Sequence, residues 1–317
     1  MDRQERAFMF RRLSLFIAVA VLAACGSGER TVPETTIPST AATSTTTVPV
    51  EQTTNSLETT TTTTEPIVEP VHVEIRQRQD TRLNRPQAQM ATLYSPSNLD
   101  DVVPVVVMLH WVGSKRFQMD PLARKVVRLG AVVLNAGWMA DLGHPLAGAA
   151  DAVCAVSYAY NNAATWGGDP ERIIIVGLSG GGLVGMLAAL APGEFSDLCD
   201  NTSDSHVEAV VGLASDAGTT AEGGIGWRIW QDNPDEFAKM DTYSYIGANP
   251  DLIVRFVHGT ADPVVPIDHI RKLHEALAQA GYDTQFTAVE GAGHGLAEDM
   301  ATEALRVIED LITQKTS

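Results

Sequence analysis

Ser179 stands in Gly177-Leu178-Ser179-Gly180-Gly181, directly after the apolar run Ile173–Val176 and before the helix-like stretch Gly181–Leu190. A serine alcohol is a weak nucleophile unless a base takes its proton. A tight strand–turn–helix would lift its Oγ above one edge of a sheet, beside a helix N-terminus that favours developing negative charge. Gly177 and Gly181 keep the flanks of so sharp a turn free of bulk. The motif gains its meaning from this context, since Gly-rich turns also serve plain helix–strand packing.

Eight histidines could supply the base. His294 lies in the loop Gly291-Ala292-Gly293-His294-Gly295, between the last strand-like and the last helix-like segment. Asp262 follows the run Ile253–Val257 in His258-Gly259-Thr260-Ala261-Asp262. Parallel strands end at a common edge, so Asp262 and His294 are expected beside Ser179. An acid that orients an imidazole, an imidazole that deprotonates a serine, and that serine make an acyl-transfer centre. His258 is expected to hydrogen-bond within its own turn, and Asp216 is a weaker rival for the acid.

The tetrahedral intermediate needs two backbone N–H donors. Gly180 should supply one. After the run Val103–Leu109 the chain reads His110-Trp111-Val112-Gly113, so the other should come from Trp111 or Val112, with Trp111 favoured. The Trp111 side chain reads equally as a wall of the acyl pocket or as packing. His110 is expected to shape this loop rather than act as a base. Trp138, Trp227 and Trp230 are candidates to line a substrate cleft, with buried aromatic packing the alternative for each.

These residues need a sheet to hold them. Strand patterns fit Val71–Arg76, Gln87–Tyr94, Val103–Leu109, Ala131–Leu134, Ile173–Val176, Ala209–Leu213, Ile253–Val257 and Gln285–Val289. Runs such as Val103–Leu109, almost without polar residues, are expected where both faces of a strand are buried. Helix patterns fit a segment from Asp120, read as an N-cap before Pro121, to Leu129, then Ala147–Tyr160, Gly181–Leu190, Asp268–Ala280 and Leu296–Thr313. Such alternation predicts an α/β domain with a mostly parallel, doubly wound sheet and helices on both faces. Residues 216–250 break the rhythm and read as a short lid-like insertion over one end of that sheet.

The order Ser179, Asp262, His294 is the one α/β-hydrolases use. Residues from about 86 to 317 resemble that superfamily, especially its esterase, lipase and dienelactone-hydrolase-like members. The likeness is carried by Trp166-Gly-Gly-Asp-Pro-Glu-Arg-Ile173, Gly177–Gly182, His258-Gly-Thr-Ala-Asp-Pro-Val-Val-Pro266 and Gly291–Gly295. It implies Ser179 as nucleophile, Asp262 as acid and His294 as base in a serine carboxylic-ester hydrolase. It implies no metal and no organic cofactor, and leaves acyl length and alcohol group open. The departure is His110-Trp111-Val112, where members often carry His-Gly-Gly or His-Gly. A peptidase or acyltransferase on this fold, or a non-catalytic binding protein that kept it, is the alternative.

The chain has 317 residues and a net charge of −17, which argues against a nucleic-acid partner. Residues 1–12 carry arginines at 3, 6, 11 and 12, Leu13–Ala24 are apolar, and small residues lead to Cys25. That is the layout of an export signal, and its apolar run is too short for a bilayer span. Leu22-Ala23-Ala24-Cys25 resembles a bacterial lipobox, which implies lipidation of Cys25 and a membrane anchor on the outer cell face; an ordinary signal peptide cleaved near Ala24, or a short apolar anchor, is the alternative. Residues 31–66 hold 16 Thr and four Pro and no Lys or Arg, too few large apolar residues for a core. The expected organisation is a signal over 1–25, a disordered tether over 26–67, bare or glycosylated, and one domain over 68–317. If Cys25 is lipidated, Cys154 and Cys199 remain, and a disulfide between them would suit an oxidising exterior. Oligomeric state is not readable.

Overall fold

A computed structural model describes residues 69–80, 85–139, 144–199, 206–218 and 232–314. The expected lipidation site Cys25, the tether, and Trp227 and Trp230 of the insertion lie outside the described residues. Eight strands form one sheet in the order β1-β2-β4-β3-β5-β6-β7-β8. They are β1 (Val71–Asp80), β2 (Arg85–Tyr94), β3 (Val103–Leu109), β4 (Val132–Ala136), β5 (Gly168–Leu178), β6 (Ala209–Leu213), β7 (Ile253–Gly259) and β8 (Thr284–Val289). β1 and β2 pair antiparallel, as do β2 and β4, and every later pairing is parallel.

Burial on both faces explains the apolar runs. Along β3, Val105, Val107 and Leu109 enter one core layer, while Val106 and Met108 enter the other. Along β5, Ile173 and Ile175 alternate with Ile174 and Val176 in the same way, as the two-residue period of a strand requires. The first layer is closed by α2 (Leu146–Asn162), α3 (Gly180–Leu190) and α5 (Ile267–Gln279). The second is closed by α1 (Asp120–Val127) and α6 (Glu298–Thr313). Met300, Ala304, Ile308 and Leu311 form the buried stripe of α6. Among the described residues of the insertion are a short helix, α4 (Pro234–Ala238), and a 3-10 turn over Thr242–Tyr245.

The structure corrects one local expectation. Asp120 is the first residue of α1, whose N-cap is Met119. The Asp120 carboxylate accepts instead from Asn135 Nδ2 at 2.8 Å. Asn135 also donates to the Arg116 carbonyl at 2.8 Å, so both N–H groups of a buried amide are used inside β4, while its Oδ1 has no hydrogen-bond partner among the described residues. A disulfide joins Cys154 on α2 to Cys199 beyond α3, with Cα atoms 5.6 Å apart. Closing a loop over 45 residues stabilises the fold by about 4 kcal/mol in the chain-entropy account. No helix among the described residues is long and apolar enough to cross a membrane.

Candidate active site

The turn between β5 and α3 holds Ser179 in a backbone conformation that L-residues rarely adopt, φ +56° and ψ −121°. Its neighbours over-determine this geometry. The Ser179 N–H donates to the Leu213 carbonyl at 2.8 Å, and its own carbonyl accepts from Gly182 N at 2.9 Å and Leu183 N at 3.3 Å. A Cβ at Gly177 would collide with the Gly181 carbonyl, and one at Gly181 with the carbonyls of Leu109 and His110. The glycine spacing therefore follows from how closely the turn approaches α3 and the end of β3. Ser179 sits at the N-terminus of α3, with the partial positive charge of the helix beneath it.

The loops after β7 and β8 deliver the other two groups. His294 Nε2 lies 3.0 Å from Ser179 Oγ, and His294 Nδ1 lies 2.8 Å from Asp262 Oδ2. A carboxylate only accepts, so Nδ1 carries the proton and Nε2 is left free to accept from the serine hydroxyl. That is the tautomer a general base needs. Asp262 Oδ1 accepts from the N–H groups of Val264 at 2.8 Å and Val265 at 2.9 Å. Burial pulls the Asp262 carboxyl upward, but hydrogen bonds from His258 and His294 outweigh it and hold the group well below its ordinary range. Asp262 thus stays ionised beside the imidazole. The rival Asp216 turns elsewhere: its Oδ1 accepts from Gly218 N at 3.3 Å, and its N–H donates to the Ser179 carbonyl at 3.4 Å.

His110 shapes the loop after β3. The Trp138 N–H donates to His110 Nε2 at 3.3 Å, which places the ring proton on Nδ1. Nδ1 then donates toward the Trp111 carbonyl at 2.9 Å and Ser114 Oγ at 3.1 Å. The Ser114 hydroxyl and N–H also donate to that carbonyl, at 2.8 and 3.2 Å. The Trp138 indole N–H donates to the His110 carbonyl at 2.6 Å, and the two rings stack 5.6 Å apart. Beside the nucleophile, a Cβ on Gly180 would meet Val112 Cγ2 at 2.5 Å and the Trp138 ring at 3.4 Å. The Trp111 side chain packs on the layer of α1 and α6, away from the layer that Val112 and Trp138 join. Among the described residues, neither the Trp111 nor the Val112 N–H donates to a protein group.

Sequence reasoning missed two features. His258 was expected to bond within its turn, and it does reach the Val265 carbonyl at 2.9 Å; it also faces Asp262 Oδ2 at 3.2 Å. The spacing His258…Asp262 across a Gly-containing turn was the available signal. The contact of Val112 with Gly180 had none, because it depends on how the loop after β3 folds back over α3.

The BD-FAE family model matches residues 92–277, more than half of the chain. Esterase LipQ of Mycobacterium tuberculosis is 28% identical over 226 residues, covering 64% of this chain and 51% of that protein. Acyl-protein thioesterase 1 of Gibberella zeae is 28% identical over 134 residues, covering 42% of this chain and 46% of that protein. This chain thus spans about half the length of these curated relatives. A propionate-bound esterase 2 from Thermogutta terrifontis shares the fold, with a TM-score of 0.63 at 19% identity over 78% of this chain and 96% of that one. With its sheet order, its strand–turn–helix at Ser179 and this family match, the chain belongs to the BD-FAE family within the α/β-hydrolase superfamily.

Proposed function

We propose that the protein is an exported serine hydrolase of carboxylic esters, tethered to the outer face of a bacterial membrane through a lipid on Cys25. One observation carries the chemistry: the hydrogen-bonded line from Ser179 through His294 to Asp262, at 3.0 and 2.8 Å. Ser179 Oγ attacks the ester carbonyl while His294 Nε2 takes its proton. The carbonyl oxygen becomes an oxyanion, held by the Gly180 N–H and by the loop after β3. The Trp111 carbonyl is fixed by Ser114 and His110, and the trans peptide turns the Val112 N–H the opposite way. With the Val112 side chain over Gly180, Val112 is the better-placed second donor, and Trp111 the alternative. The tetrahedral intermediate collapses, and the C–O bond to the alcohol breaks as His294 returns the proton to the leaving oxygen. Water, deprotonated by His294, then attacks the acyl-enzyme and frees the acid and Ser179.

Val112 and Trp138 lie against Gly180 beside the nucleophile, which supports a preference for short acyl groups. Hydrolysis of p-nitrophenyl esters from acetyl to dodecanoyl should peak at the short chains and fall more than about tenfold toward dodecanoyl. A peak at dodecanoyl would contradict that preference. Absence of hydrolysis across the series by folded protein would contradict the ester-hydrolase reading.

Two features support export. The basic, apolar, small layout of residues 1–25 ends in Cys25, and the Cys154–Cys199 disulfide suits an oxidising compartment. The full chain expressed in a bacterium fed labelled palmitate should take up label, and Cys25→Ser should abolish it. Labelling that survives Cys25→Ser would remove Cys25 as the anchor.

A further inference from the structure

His258 is the penultimate residue of β7 and is completely buried. Its Nε2 faces two acceptors and no donor: the Val265 carbonyl at 2.9 Å and Asp262 Oδ2 at 3.2 Å. Neither neighbour can give it a proton, so Nε2 carries the N–H. Its Nδ1 is buried without a hydrogen-bond partner among the described residues. A proton on Nδ1 would be a buried donor without an acceptor, so the ring carries its N–H on Nε2 as one fixed dipole. That N–H is hydrogen-bonded to the Val265 carbonyl, and its positive end also lies 3.2 Å from the carboxylate oxygen that orients His294.

The contacts form a closed set. Asp262 Oδ1 is held by Val264 N and Val265 N, Val265 O is held by His258, and Asp262 Oδ2 lies between His258 and His294. Rotating the carboxylate breaks bonds on both oxygens. The His294 side chain, 5% exposed, sits on a glycine-flanked loop, so its orientation depends on this set rather than on a regular element.

We propose that His258 is a positioning residue of the hydrolytic centre: it locks the Asp262 carboxylate and moderates its pull on His294 through the Nε2 N–H. The proposal rests on the triad reading above. His258 does not touch the reacting atoms and exchanges no proton during turnover. Among the described residues, His258 and His294 are the titratable side chains paired with the Asp262 carboxylate, at 3.2 and 2.8 Å.

Without the His258 N–H, Asp262 concentrates its charge on His294 and steadies the protonated imidazole more strongly. Its plane is also held less firmly. The test compares the full chain with His258→Phe, which fills the volume without a donor, and His258→Gln, whose amide can return one. Each is first shown to be folded by its Tm. Kinetics on p-nitrophenyl acetate across about pH 5–9 span the titration range of a histidine. His258→Phe should lower kcat by about 10²-fold at nearly constant KM, as for a mispositioned catalytic group. The acid limb of kcat/KM should rise by about 0.5–1 pH unit. His258→Gln should return the limb to wild type and recover most of kcat. A folded Phe variant with wild-type kcat and limb would overturn the proposal. So would equal losses in Phe and Gln with the limb unmoved, the result of a merely structural role. Should the wild type hydrolyse no ester, the ester reading falls alone: the His294 titration followed by NMR still decides, upward in Phe and unshifted in Gln if His258 acts as proposed.

Discussion

Ser179→Ala should reduce ester hydrolysis by about 10⁴–10⁶-fold in kcat, with Tm close to that of the wild type. The Oγ forms the acyl bond, and among the described residues it is the hydroxyl that His294 Nε2 faces, at 3.0 Å. The residue left would still hold the turn. The Ser179 backbone bonds to Leu213, Gly182 and Leu183 use no side-chain atom, and the Gly177 and Gly181 contacts are untouched. Kinetics on a short-chain p-nitrophenyl ester, with thermal melting alongside, checks both halves. Retained activity would remove Ser179 as the nucleophile, and a large fall in Tm would show that the hydroxyl supports the turn.

Asp262→Asn should cost about 10⁴-fold in kcat, for a reason specific to this site. Val264 and Val265 present two backbone N–H groups to Oδ1, so the amide oxygen of an asparagine is held there. Its NH₂ then occupies the place of Oδ2 and faces His294 Nδ1 and the His258 N–H. His294 answers by accepting at Nδ1, which moves its proton to Nε2 and directs an N–H at Ser179. The base becomes a donor while the geometry is kept. Measuring kcat for Asp262→Asn and Asp262→Ala separates the effects. If Asn is at least as damaging as Ala, the wrong tautomer dominates; if Asn is nearly wild type, Asp262 is not the orienting acid.

How far the sequence carried depended on what each residue type had to satisfy. β3 and β6 were legible to the residue, because strands buried on both faces exclude polar residues and stop where the run stops. β4 and β7 were read short, at Leu134 and Val257, because Asn135 and His258 interrupt the pattern. Both side chains are buried and find partners outside their own strands, Asn135 in Arg116 and Asp120, His258 in Val265 and Asp262 of the following turn. The start of β5 was missed because Gly168-Asp-Pro-Glu has turn composition, yet Gly168 and Asp169 pair with Val103 and Pro104 before a register shift. Asp120 had cap composition, but its carboxylate was drawn to Asn135.

At the site, order along the chain was enough to bring Ser179, Asp262 and His294 to one edge, since each follows the end of a parallel strand. Side-chain placement was not legible in the same way. Trp111 and Val112 are adjacent in sequence yet pack into opposite layers, and only the fold of the loop decides which of them faces Gly180.

The central claim is that Ser179 is a nucleophile activated by His294 and Asp262. The most direct measurement is reaction of the folded chain with a fluorophosphonate, followed by mass spectrometry of the digested protein. Attack by a serine displaces fluoride and leaves a stable phosphonyl ester. The account predicts one adduct per chain, on the peptide that carries Ser179, absent from Ser179→Ala and formed much more slowly in Asp262→Asn. No adduct on folded wild-type protein, or an adduct on another serine that persists in Ser179→Ala, would contradict it.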